Sequence, residues 1–228
     1  MAQAKGRLFL VATPIGNMED ITVRALRTLE EVDFIAAEDT RRTRKLLTRY
    51  EIHRPLVSYH DHNKLRAGPA IVRRIASGES AALVSDAGSP GISDPGFLLV
   101  KLAIEEDIDV IPIPGPSSVI CALQTSGLPT HSFAFEGFLS RKKGKRSARL
   151  RALALEERTM VFFESPHRVG STISAMLECL GDRRITICRE LTKRFEEIIR
   201  TRLSEATGLL ADKKMQGEFV LVVEGKSS

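Results

Sequence analysis

The stretch Val84-Ser-Asp-Ala-Gly-Ser-Pro-Gly-Ile-Ser-Asp-Pro-Gly96 constrains the fold of this chain most. It follows the apolar run Ala81 to Val84 and precedes a second one, Phe97 to Ile104, so it reads as strand, loop and helix. Thirteen residues is long for such a connection, which usually takes about two to six. Loops at the carboxyl ends of parallel strands are where open α/β proteins bind ligands. Three glycines let a ligand approach the main chain, and Ser85, Asp86 and Ser89 supply polar groups at the strand end. The loop lacks the Lys-Ser or Lys-Thr of a P-loop, does not fit the dinucleotide fingerprint, and has no Gly-x-Ser-x-Gly elbow. Ser89 and Ser93 therefore have no claim as hydrolase nucleophiles.

Two other segments repeat the pattern. Leu8 to Ala12 runs into Thr13-Pro-Ile-Gly-Asn17, and Ile111-Pro-Ile-Pro-Gly-Pro-Ser-Ser118 ends a strand before the apolar stretch Val119 to Leu123. Three strand-end loops in the first half of the chain are thus available to one ligand. Strand and helix alternate throughout, which predicts an α/β class. Asp20 is placed to cap a helix with Ile21, Ala25, Leu29 and Val32 on one face. Phe34 to Ala37 and Leu56 to Tyr59 read as strands flanking a basic helix from Thr40 to Tyr50. Pro69 is expected to interrupt the next helix, leaving 70–76 as its regular part. Further strands are predicted at 132–135, 159–163, 185–188, 197–201 and 219–223, with helices at 147–155, 169–180 and 204–211. The proline cluster Pro112, Pro114 and Pro116 marks a boundary between domains 1–116 and 117–228.

At 228 residues and 43% hydrophobic composition, a packed core is within reach. No apolar run approaches the about 18 residues needed to span a bilayer, and the start does not resemble a signal core, so the expected compartment is the cytoplasm. Cys121, Cys179 and Cys188 are odd in number and lack a Cys-x-x-Cys pair, which predicts reduced residues in or beside the core. The net charge is only +5, but it is concentrated. Arg141 to Arg151 holds seven basic residues with no acidic one until Glu156, and Arg41 to Arg49 holds five in nine. The first block, read as a loop, suggests a polyanionic partner met by Arg141, Lys142, Lys143, Lys145 and Arg146. For the second, with Arg41 and Arg42, phosphate contact and the polar face of a helix both remain open. Aromatic residues make up 5% and Trp is absent, so affinity for a nucleic acid would rest on phosphates rather than base stacking. His60-Asp-His62 reads as a polar cluster at a strand end rather than a metal site.

The ordered series "LVATPIGNMEDIT", "AAEDTRRTRKLL", "VSDAGSPGISDPG", "PIPGPSSVICAL", "FEGFL", "FFESPHR" and "ICRELTKRFEE" resembles the bacterial ribosomal RNA small-subunit methyltransferase I family, a branch of the tetrapyrrole methylase superfamily. The similarity runs from about Arg7 to Glu224. It implies two α/β domains of the tetrapyrrole methylase type with the cofactor in the cleft between them, and a homodimer. It also implies S-adenosylmethionine-dependent 2′-O-methylation of a cytidine ribose in 16S ribosomal RNA, on naked RNA or the assembled small subunit. Thr13-Pro-Ile-Gly-Asn17 departs from the Gly-rich, Asp-terminated first loop of the wider superfamily, which speaks against a porphyrin-type substrate. A tetrapyrrole or other small-molecule methylase, and a non-catalytic ribosome assembly factor, remain the alternatives.

By this resemblance, cofactor contacts fall on Pro14, Asp86, Ala87, Gly88, Ser117 and Ser118, with Phe163, Glu164 and Leu191 near the adenine. Methyl transfer to a ribose hydroxyl needs in-line positioning and somewhere for the hydroxyl proton to go. Glu38 and Asp39, at a strand end beside Arg41 and Arg42, are the candidates for proton acceptance or substrate orientation. Capping of the next helix is an equally open role, and neither carboxylate has an evidently apolar sequence setting. No metal is expected.

Overall fold

The computed structural model describes residues 5–211 and 216–226. They fall into two compact units divided between Ser117 and Ser118. In the first, β1 (Arg7–Val11), β2 (Phe34–Ala37), β3 (Leu56–Ser58), β4 (Ala81–Val84) and β5 (Asp109–Ile113) form an all-parallel sheet in the order β3-β2-β4-β1-β5. The strands read as continuous apolar runs because both faces are covered. Period-two alternation sorts their side chains. Val11, Ile35, Ala37, Ala82 and Val84 meet α1 (Val23–Glu31) and α2 (Thr40–Arg49). Leu8, Phe34, Ala36, Ala81 and Leu83 meet α3 (Lys64–Ala76) and α4 (Gly96–Glu105) on the other face.

Two helix starts differ from the sequence expectation. Asp20 does not cap α1: it closes a short 3-10 turn, Met18–Asp20, itself capped by Asn17, and the Thr22 hydroxyl accepts the Ala25 N–H at 3.1 Å instead. Thr22 is already extended there, as an N-cap residue must be. Pro69 does not break α3, which runs from Lys64 through it. Only one backbone donor is lost, while Asn63 secures the entry: its side chain accepts from the His60 N–H at 2.8 Å and donates to the Ser58 carbonyl at 3.0 Å.

The second unit opens with α5 (Ser118–Ser126) and carries a mixed sheet ordered β6-β7-β10-β8-β9. Its strands are β6 (Phe133–Phe138), β7 (Thr159–Glu164), β8 (Arg184–Arg189), β9 (Glu197–Arg202) and β10 (Phe219–Val223), parallel only between β6 and β7. Leu150 of α6 (Lys143–Ala152), Ile173 and Met176 of α7 (Val169–Leu180), and Leu203 and Ala206 of α8 (Leu203–Ala211) pack with Met160, Phe162, Ile187 and Leu221 of the sheet. The expected basic loop is therefore largely helical: α6 begins at Lys143, four residues before the expected start. Lys, Arg and Ala are good helix formers, and Leu150 anchors one face in the core. The three cysteines are free, and burial pushes the Cys188 thiol up to about 11. No helix among the described residues is long and apolar enough to cross a membrane.

Candidate functional site

The carboxyl edge of the parallel sheet collects the polar residues of the first unit. Glu38 and Asp39 leave β2, Ser85 and Asp86 leave β4, and Thr13 and Pro14 leave β1. The loops are tied to one another. The Thr13 N–H donates to the Gly88 carbonyl and the Gly88 N–H to the Thr13 carbonyl, both at 3.0 Å. The Thr13 hydroxyl donates to the Ser85 carbonyl at 3.2 Å. Gly88 holds φ +79°, a conformation costly for other residues. A Cβ on Gly88 would lie 3.8 Å from the Pro116 carbonyl oxygen, so the loop that leads to Ser117 passes close by. Gly115 is the tightest of these contacts, since a Cβ there would stand 2.9 Å from the Ala12 Cβ. Pro14, Ala87, Gly88 and Ser117 thus belong to one rim of close-set main chain.

The acidic residues are joined just as closely. The Asp39 N–H donates to Asp86 Oδ1 at 3.0 Å, the Asp86 N–H to Glu38 Oε2 at 3.2 Å, and Arg42 Nη1 stands 3.2 Å from Asp86 Oδ2. The roles of Glu38 and Asp39, left open by the sequence, diverge here. Asp39 caps α2 by accepting the Arg41 N–H at 2.8 Å, and the Arg41 guanidinium grips the same carboxylate at 3.1 and 2.8 Å. Those bonds hold the Asp39 carboxyl well below the usual carboxylate range. Such a group is a weak base. Glu38 is raised instead, chiefly by burial, with the Asp86 N–H opposing and the carboxylates of Asp86, Asp94 and Asp61 adding to the shift. The expectation that neither carboxylate has an apolar setting is overturned for Glu38, which shares a narrow crevice with Tyr59, Leu83, Val84, Pro90 and Pro95.

Sequence reasoning missed Asp94 and Tyr59. Asp94 folds the second half of the long loop onto itself, its carboxylate accepting the Gly91 N–H at 2.8 Å and the Gly96 N–H at 2.7 Å. Burial raises its carboxyl. An Asp-Pro-Gly run is a turn signal that could have indicated this. Tyr59 is buried, donates to the Pro95 carbonyl at 3.2 Å, and has its hydroxyl pushed up to about 12 by burial. No local signal marks it. His60 and His62 lie in a turn with their rings edge to face at 5.9 Å, and among the described residues no group of three or more His, Cys, Asp or Glu is placed to hold a metal.

In the second unit, Ser118 opens α5, while Phe163 and Glu164 close β7. Phe163 packs against Phe135 and Phe138, with ring centroids 5.0 and 5.4 Å away. Leu191 is buried between Glu190 and Thr192, two non-glycine residues with positive φ. Glu164, assigned by resemblance a place near the adenine, has its side chain engaged within the unit. Its carboxylate is buried and accepts from the Ser165 N–H at 2.7 Å, the Thr172 hydroxyl at 2.6 Å and Arg168 Nη2 at 2.8 Å, so the side chain is committed to the fold.

The basic residues separate too. Arg41 and Arg42 are engaged with Asp39 and Asp86. Arg141, Lys142, Lys143 and Lys145 are exposed on and before the first turn of α6. Arg146 is turned inward and only 9% exposed, which removes it from the open basic face. The apparent lack of acidic partners in this block is corrected by Glu136, which takes Arg149 in a two-pronged pair at 2.7 Å. Its position on the neighbouring strand hides that pairing from a local reading.

A parallel sheet with glycine-bearing loops at its carboxyl edge, followed by a mixed sheet, is the architecture shared by tetrapyrrole methylases. The sequence matches the family Tetrapyrrole (Corrin/Porphyrin) Methylases over residues 7–207, and the chain belongs to that family. Solved structures agree on the fold: uroporphyrin-III-C-methyltransferase from Thermus thermophilus superposes with a TM-score of 0.69 at 22% identity, covering 96% of this chain and 94% of that one. A uroporphyrin-III C-methyl transferase from Thermus thermophilus complexed with S-adenyl homocysteine gives 0.68 at 20% identity, covering 96% of this chain and 97% of that one. Sequence relatives narrow the branch. The chain is 53% identical to Ribosomal RNA small subunit methyltransferase I of Halalkalibacterium halodurans over 97% of its own length and 76% of the relative's. It is 48% identical to the protein of that name from Thermotoga maritima, over 97% and 99%. Within the tetrapyrrole methylases, its branch is therefore the ribosomal RNA small subunit methyltransferase I family.

Proposed function

We propose that this protein is an S-adenosylmethionine-dependent methyltransferase that modifies the 2′-hydroxyl of a cytidine in small-subunit ribosomal RNA, working in the cytoplasm as a homodimer. The observation that carries the reading is the 48% identity to the Thermotoga maritima relative across nearly the full length of both chains. The residues fit the cofactor: the loops at Gly88 and Gly115 bring main chain close together, and the Asp86 carboxylate, held by the Asp39 N–H and Arg42, carries the charge that suits an ammonium group. When bound, S-adenosylmethionine supplies an activated methyl on a sulfonium. The chain's own contribution is to position the ribose hydroxyl and take up its proton. Glu38 is assigned the proton, because burial makes it the stronger base of the pair, and Asp39 is assigned to holding α2.

The reading is tested by incubating the protein with methyl-labelled cofactor and small-subunit RNA. Label in RNA that blocks alkaline cleavage after one cytidine is the expected result. Label in a small-molecule acceptor instead, or none with cofactor bound, would replace it with a tetrapyrrole-type methylase or a non-catalytic assembly factor.

Asp86→Ala is expected to weaken cofactor binding by about 1–3 kcal/mol, or roughly five- to 150-fold in Kd. Calorimetry on the folded variant checks this, and an unchanged Kd removes Asp86 from the site. Lys142, Lys143 and Lys145 replaced together by Gln should flatten the salt dependence of RNA binding, since each phosphate contact contributes about 0.7–0.9 to the log–log slope. Cofactor affinity should stay at the wild-type level. An unaltered slope would return these lysines to a solvated surface.

A further inference from the structure

Arg146 is nine-tenths buried, and among the described residues its Nε has no hydrogen-bond partner. A buried donor left unpaired is costly. Among the described residues, the one polar contact of the Arg146 side chain is from Nη1 to the Ser171 hydroxyl, at a long 3.5 Å. Ser171 is the third residue of α7, so the guanidinium lies over the first turn of that helix. There the chain offers more unmet donors. The N-cap residue Arg168 makes no side-chain cap bond, and the N–H groups of Gly170 and Ser171 come too early in α7 to have an acceptor within it. Gly170 also leaves the approach open, since a Cβ placed on it meets nothing within 4 Å. Arg168, the N-cap residue, repeats the pattern: its Nη2 is spent on Glu164 and the Leu139 carbonyl, while its Nε is buried without a partner.

We propose that the first turn of α7 and the Arg146 guanidinium form a seat for one phosphate of the substrate RNA backbone. The helix N-terminus presents N–H groups and the positive end of its dipole, and Arg146 adds a fixed charge with donors to spare. A tetrahedral oxyanion is the ligand class that consumes donors from several directions at once. The exposed Lys142, Lys143 and Lys145 belong to the helix that carries Arg146, so an RNA strand drawn to α6 would have a defined point of attachment beside it. The seat fixes register and contributes no base reading. The RNA part of the proposal rests on the substrate reading above.

Gly170→Asp tests the seat without endangering the fold. A carboxylate at the second position of a helix favours the helix dipole, and replacing glycine improves helix propensity. The variant should therefore melt at or above the wild-type temperature while filling the seat with negative charge. Expected are an RNA affinity about tenfold lower, a salt slope smaller by about one, and unchanged S-adenosylmethionine affinity. Inorganic phosphate should raise the melting temperature of the wild type more than that of Gly170→Asp, as selective binding to the folded state requires. Equal RNA affinity and salt slope in the two proteins would overturn the proposal. So would a loss of cofactor affinity in the variant with RNA binding intact, which would give the seat to the cofactor's carboxylate. If the wild type binds no small-subunit RNA, the substrate reading fails, and the phosphate melting comparison decides the seat by itself.

Discussion

Glu38→Gln is expected to lower the single-turnover rate of RNA methylation by about two to four orders of magnitude, with both ligands still bound. Gln keeps an oxygen to accept the Asp86 N–H, so the loop should stay in place while the base is lost. Asp39→Asn is the contrasting variant. Asn keeps an oxygen to accept the Arg41 N–H that caps α2 and loses only the exposed pairing with Arg41, so both stability and the chemical step should stay near wild type. A rate within about tenfold of wild type in Glu38→Gln would leave positioning as the main source of the acceleration. The pH dependence gives an independent readout. Glu38 holds its proton more tightly in the folded chain than in the unfolded one, so its ionisation costs stability as pH rises through the raised folded value. Relative to wild type, Glu38→Gln should therefore gain stability as pH rises from the ordinary carboxylate range through the raised folded value. The acid limb of the wild-type rate profile should lie above the ordinary carboxylate range.

Glu164→Ala is expected to destabilise the second unit by about 3–5 kcal/mol, because it strands a largely buried arginine. The substitution removes the acceptor of the Ser165 N–H, the Thr172 hydroxyl and Arg168 Nη2 together. A fall in melting temperature of roughly 6–20 °C should accompany it. Cofactor affinity per folded molecule should not change if the carboxylate serves only the fold. A variant that melts like wild type but binds the cofactor poorly would restore Glu164 to the binding residues proposed by resemblance.

The two carboxylates show how far local sequence reaches. Glu38 and Asp39 are adjacent at the end of the same strand, and nothing in "AAEDTRR" says which of them is buried. The difference comes from Tyr59, Leu83 and Pro95, which lie beside Glu38 only because β3 and β4 flank β2 in the sheet. Arg141 to Arg151 makes the same point. Its charge was legible, but its sorting into exposed lysines, an inward Arg146 and an Arg149 paired with Glu136 depends on neighbours from β6 and α7.

The sequence by itself determined the alternation of strand and helix, the long glycine-containing loops at strand ends and the family, because apolar periodicity, turn chemistry and motif order are properties of consecutive residues. The tertiary structure alone decided the state of each charged group. Burial and pairing are set by residues far apart in the chain, such as Asp86 with Arg42 and Asp39, or Glu164 with Thr172. Proton affinity follows from the medium and charges around a group rather than from its sequence neighbours.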